Sequence, residues 1–136
     1  MIKAIYGEKG TGKTRTLVKT ANEMADENYG CVVFIDYTNH LIHNLKHGVR
    51  FINMTEFPVE GEEGFLGFLC GIIAQNYDVK WIFIDGITYI LKKDARSLSN
   101  FFSKLKQIAS QYDVEFNISF TGNRESMPEY LKEYVI

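Results

Sequence analysis

The stretch GEKGTGKT, running from Gly7 to Thr14, decides how this chain is read. It fits the spacing G-x-x-x-x-G-K-[ST] without a gap, and it stands between an apolar pentapeptide, IKAIY at 2–6, and a segment of helical periodicity. Each residue type has a physical reason. Glycines let the backbone curl until successive N–H groups face one point, and the N-terminus of a following helix adds partial positive charge there. Lys13 brings a flexible cation able to reach the distal phosphates of a nucleotide, and Thr14 brings a hydroxyl of the kind Mg²⁺ accepts. Gly7, Glu8, Lys9, Gly10, Thr11, Gly12, Lys13 and Thr14, with Arg15 directly after them, are the candidate phosphate-binding residues.

Working outward, Leu17, Val18, Ala21, Met24 and Ala25 recur at helical spacing and predict a helix from Thr14 to Asn28, stopped before Gly30. CVVFID at 31–36 is a near-continuous apolar run, as in a strand buried on both faces of a parallel sheet. NHLIHNLKHG is read as a short helix capped by Asn39 and stopped by Gly48. RFINM predicts a short strand, placed at an edge, residues 62–77 a helix apolar nearly all round, and WIFID at 81–85 a central strand. Residues 94–112 form a strongly amphipathic helix, VEFNISFTG the last strand, and Ser126 with Glu129 a capping box for a final short helix. Strands alternating with helices predict one α/β domain spanning 1–136, a three-layer arrangement with a mainly parallel sheet of about five strands and helices on both faces. Ligands bind such sheets at the carboxyl ends of the strands, which directs attention to Asp36, Thr55, Glu56, Asp85 and Thr121 to Asn123 besides the glycine-rich loop.

A chain of 136 residues that is 46% apolar is long enough for a proper core. Its net charge of −2, with 15 Lys and Arg scattered along it, does not favour nucleic acid as a partner. No uncharged apolar run approaches the length of a membrane span, and the chain starts without a basic-then-apolar leader. Cys31 and Cys70 match no metal or redox spacing and read as two buried, reduced thiols, which favours the cytoplasm.

WIFID carries an acid at the end of an apolar strand, where Asp85 would hold Mg²⁺ together with Thr14; Asp36, at the end of VVFID, is the competing acid. Together, GEKGTGKT and WIFID resemble the P-loop NTPases over Met1 to about Asn123. The opening MIKAIYGEKGTGKT and the compact length are similar to small bacterial ATP-binding proteins labelled as twitching-motility (PilT-like) ATPases, although motility ATPases of that type are much longer and carry further acidic and histidine motifs. The resemblance implies a P-loop NTPase fold and Mg-ATP binding by the loop from Gly7 to Thr14, with ATP and Mg²⁺ as cofactors. Several subfamilies depart from this sequence. Partition-type ATPases have lysine where Glu8 stands, GTPases need N-K-x-D where TGNRES stands, and transporter ATPases need a glutamate where Gly86 stands. Small-molecule kinases usually close an arginine-rich lid over the phosphates, and Arg15, Arg50, Arg96 and Arg124 are unclustered.

Hydrolysis needs a group that orients water and usually a cation at the γ phosphate. Lys13 is the catalytic candidate on the loop, and Glu56, after RFINMT, is either a base on a neighbouring strand or an exposed loop acid. Thr121 and Asn123 end the last strand where some ATPases keep a polar sensor, and Asn123 is the outlying nucleotide-binding candidate. Arg124 is an arginine finger only if a neighbouring subunit presents it, and otherwise a solvated turn residue. The readings carried forward are a slow ATPase that couples ATP/ADP state to a protein partner or a homo-oligomer, a non-hydrolysing nucleotide-dependent module, and a small phosphotransferase.

Four further features are weighed. His40, His43 and His47 fall near one helical face, either as metal ligands or as a solvated surface. Gly67 and Gly71 are expected to bring their helix close to the sheet, with some remaining apolar surface free for a subunit contact. Tyr37 would stack on a base or stand as an ordinary loop tyrosine, and LKKD after Tyr89 is a solvated helix start. Strand order divides the superfamily: a last strand between those of the loop and Asp85 means the RecA and AAA-like group, and direct neighbours mean the kinase-GTPase group.

Overall fold

A computed structural model describes residues 1–27 and 30–136. Five strands, β1 (Ile2–Gly7), β2 (Cys31–Asp36), β3 (Val49–Asn53), β4 (Val79–Ile84) and β5 (Glu115–Thr121), form one sheet in the order β1-β5-β4-β2-β3. All four pairings are parallel, so every crossover returns the chain to the same end of the sheet. β5 is inserted between β1 and β4, and β3 closes the far edge.

Alternation along the strands sorts the core into two layers. Val33, Ile35, Ile82, Ile84, Phe116, Ile118 and Phe120 point to the face covered by helices α2 (Gly61–Gln75), α3 (Ile87–Leu91) and α4 (Ser99–Tyr112). Val32, Phe34 and Phe83 point the other way, where helix α1 (Lys13–Glu27) covers them with Leu17 and Ala21. The helix predicted to reach Asn28 ends at Glu27, and Asn28 itself lies outside the described residues. Phe102 gathers the rings of Phe101, Phe120, Tyr130 and Tyr134 at 5.5–5.8 Å and so ties α4 to β5 and to the C-terminal segment. That segment also reaches the outer edge of β1, where Ala4 N donates to Tyr134 O at 2.8 Å and Ile136 N donates to Ala4 O at 3.1 Å. No described helix is long and apolar enough to cross a membrane.

Four local expectations are corrected. Residues 39–48 form turns rather than a helix, because only Leu41 and Leu45 reach the core under α1 and no continuous apolar face exists to dock one. Gly67 and Gly71 face outward on α2, with nothing within 4 Å of a Cβ built at either, while Phe65, Leu66, Leu69 and Ile73 face the sheet. Their bulk gains more from burial than glycine does. Cys70 shares the outward face and is exposed, and Cys31 is half-buried, so the two thiols are free but not both buried. The Ser126–Glu129 capping box does not form: Ser126 Oγ donates to Asn123 O at 2.9 Å, and Pro128 precedes the turn at Glu129–Leu131.

Candidate functional site

Gly10 and Gly12 adopt φ of +86° and +87°, the left-handed region that favours glycine, and they turn the chain from β1 into α1. Within this loop Thr11 Oγ1 and Lys13 Nζ both donate to the Glu8 carbonyl at 2.7 Å. Thr16 N donates to Gly12 O at 3.0 Å and starts the helical ladder; the amides of Lys13, Thr14 and Arg15 precede it and have no intrahelical carbonyl to reach. The first turn of α1 carries no acidic side chain. The helix N-terminus adds partial positive charge beside the Lys13 ammonium, which lies against the Glu8 carbonyl, and Arg15 is exposed on the first turn. Burial lowers the Lys13 ammonium from its ordinary value, and the Asp85 charge works against that shift.

β4 delivers Asp85 to the same point. Thr14 Oγ1 donates to Asp85 Oδ2 at 2.8 Å, and Ser119 Oγ, from the adjacent β5, donates to Asp85 Oδ1 at 2.6 Å. Gly86 N donates in turn to Ser119 Oγ at 2.9 Å. Asp36 ends the neighbouring strand and is 2% exposed, but its two oxygens are taken up locally, by Tyr37 N at 2.8 Å and Thr38 Oγ1 at 3.1 Å. Burial first, then the Asp85 charge, raises the Asp36 carboxyl above its ordinary range, against the opposing pull of those hydrogen bonds. Of the two acids that the strand pattern offered, Asp85 faces the loop and Asp36 closes its own turn.

A cavity of about 470 Å³ separates the loop from the strand ends, with Lys13, Thr14, Asp85, Ser119 and Thr121 in its wall. Tyr37 and Tyr89 flank it as a stacked pair, ring centres 4.9 Å apart and planes 20° from parallel. Gly86 lies beneath them at φ +75°, and a Cβ there would come within 2.9 Å of the Tyr37 ring. A second cavity of about 500 Å³ opens on the other side of Gly12 and Lys13, lined by Thr11, Thr16, Asn123, Arg124 and Glu125 among others. Asn123 is exposed there, and its Oδ1 accepts from Glu125 N at 2.9 Å, capping a short turn. Arg124 is exposed on the same rim.

Glu56 is not brought to the loop. It follows β3, four strand spacings from β1 or about 19 Å across the sheet, is exposed, and lines neither cavity. His40, His43 and His47 are exposed in turns, and no group of three or more His, Cys, Asp or Glu converges among the described residues. Among the described residues, Thr14 and Asp85 place a hydroxyl and a carboxylate oxygen side by side. That all-oxygen pair suits Mg²⁺, which keeps most of its waters and takes only one or two ligands from a protein.

Two wall residues, Ser119 and Tyr89, have no place in the sequence-based site. Ser119 carries a faint signal: Asn117, Ser119 and Thr121 alternate with Phe116, Ile118 and Phe120, so β5 presents polar groups to the α1 side only. No family model matches the chain, and no curated protein does.

Proposed function

We propose that this chain is a P-loop protein that binds Mg-ATP in the cytoplasm and turns it over slowly, passing its nucleotide state to a partner. The observation that carries this reading is the 2.8 Å contact between Thr14, at the head of α1, and Asp85, at the end of β4. It brings together two residues 71 positions apart in sequence that, in this reading, belong to one metal-phosphate site. The insertion of β5 between β1 and β4 favours the RecA and AAA-like group over the kinase-GTPase group.

In this reading the first-turn amides of α1 and Lys13 bind the phosphates, and Thr14 with Asp85 would hold the metal. Mg²⁺, when bound, neutralises charge on the phosphate oxygens. Tyr37 and Tyr89 shield the side of the cavity from water. The second cavity takes the nucleoside, with Asn123 at its rim. Asp85 is the one carboxylate among the lining residues of the first cavity, Gly86 follows it, and Glu56 stands at the far edge of the sheet. That absence of a second acid to orient water supports slow turnover, and it equally favours the second reading, a nucleotide-dependent binding module without hydrolysis.

Single-turnover conversion of labelled ATP by excess protein in Mg²⁺, with bound nucleotide read in the same samples, tests both. Lys13→Ala is expected to lose about 1.5–3 kcal/mol of nucleotide binding, on the order of ten- to a hundredfold. Turnover that disappears with Lys13 supports the ATPase, and binding without turnover supports the module. Absence of nucleotide binding by wild type overturns the reading.

A further inference from the structure

Ser119 is 1% exposed and makes two hydrogen bonds with one hydroxyl, giving its proton to Asp85 Oδ1 at 2.6 Å and accepting from Gly86 N at 2.9 Å. Asp85 can rotate about its side-chain bonds unless something holds it, and its other oxygen accepts from the Thr14 hydroxyl, a donor that itself rotates. The bond from Ser119 is the one that comes from a rigid neighbouring strand: β4 and β5 are paired through Ile84 and Ile118, the residues just before Asp85 and Ser119. It leaves Oδ2 aimed at Thr14 and fixes the direction from which a cation would be met.

The second bond has its own consequence. Gly86 is the left-handed residue that starts α3, and its amide has no strand partner. By accepting from that amide, Ser119 holds the turn that follows Asp85 as well as the carboxylate. The Asp85 carboxylate and the amide of the Gly86 turn are thereby both tied to β5 by a single oxygen.

We infer that Ser119 is the positioning residue of this site, orienting the Asp85 carboxylate for a divalent cation and securing the Gly86 turn; this rests on the reading of the loop as a Mg-ATP site. Groups that orient a metal-holding side chain are worth about 10–100-fold in metal affinity when removed. A merely structural serine would instead weaken folding and all ligand binding together.

Wild type, Ser119→Ala and Ser119→Thr distinguish these by two measurements. The first is equilibrium binding of labelled ATP in EDTA and again in Mg²⁺; the second is hydrogen exchange at the Gly86 amide in protein without nucleotide, followed by NMR. Ser119→Ala is expected to bind ATP in EDTA as wild type does, to lose about tenfold of the Mg²⁺-dependent gain, and to exchange its Gly86 amide faster. Ser119→Thr, which keeps the hydroxyl, should restore both. If the alanine variant does not fold, Ser119→Cys, close in size and a weak hydrogen-bonding group, takes its place. A wild-type Mg²⁺ gain that survives intact in a folded alanine or cysteine variant overturns the role of Ser119 and leaves the ATP reading standing. A wild type that binds no ATP in either buffer overturns both.

Discussion

Asp36 and Asp85 end adjacent parallel strands, joined where Asp85 N donates to Ile35 O at 2.9 Å, and the charge of Asp85 adds to burial in raising the Asp36 carboxyl. A folded-state value above the ordinary 3.8 means that the native protein holds the Asp36 proton more tightly than the unfolded chain does. The stabilising contribution is complete below the unfolded value and is lost as pH rises from about 4 through the folded value. Denaturant titrations of wild type and Asp36→Asn at a series of pH values from 4 to 7 should therefore converge at the acid end, with the variant gaining on wild type as pH rises. Parallel stability curves for the two proteins would contradict this sign.

Gly86 is required twice, by its φ of +75° and by the Tyr37 ring 2.9 Å from the position of a Cβ. Gly86→Ala is expected to cost about 1–3 kcal/mol, and part of it should return when Tyr37→Ala is combined with it. Gly10→Ala faces only the backbone term, because nothing lies within 4 Å of its Cβ position. Urea midpoints of the single and double variants measure the difference.

Asn117 is buried in β5, and its Nδ2 has no hydrogen-bond partner among the described residues. Replacing it with leucine, similar in shape and without a group to desolvate, should raise stability by about 1 kcal/mol. A loss on Asn117→Leu, read by thermal or urea unfolding, would show that the amide is satisfied in solution.

The two thiols should separate in reactivity. Cys70 is exposed on α2, whereas burial raises the Cys31 thiol above its ordinary value, Arg50 pulling the other way. Because the thiolate is the nucleophile, iodoacetamide at neutral pH should label Cys70 first, as read by mass spectrometry of peptides.

Much of this architecture was legible because it is written in short-range patterns. A continuous apolar run such as CVVFID or WIFID needs no distant information to be read as a buried strand, and the loop from Gly7 to Thr14 carries its spacing within eight residues. What failed depends on contacts across the fold. Strand ends alone leave Glu56 either a base on a neighbouring strand or an exposed loop acid, and only the strand order, with β3 at the opposite edge, favours the exposed acid. An all-round apolar helix does not announce which side meets the sheet, so the sequence does not show that Phe65 and Leu69 take the inner face in place of Gly67 and Gly71, or that Cys70 is exposed. The five-residue helix α3 is too short to show a period, and it brought Tyr89 to the cavity unseen. Ser119 needed the pairing of β5 with β4 before its hydroxyl had anything to hold.

Among the described residues, the strand that runs into the Gly7–Thr14 loop has one full neighbour, β5. Its outer side is clipped by residues 134–136 through Ala4, a contact a few hydrogen bonds long. Release of that clip, by a protease or by local opening, would bare the Ala4 amide and carbonyl on the outer edge of the strand that runs into the loop. Such an edge recruits other strands. Exposure of that edge and the geometry of the loop are therefore linked through one strand, and whatever pulls residues 134–136 from β1 disturbs both.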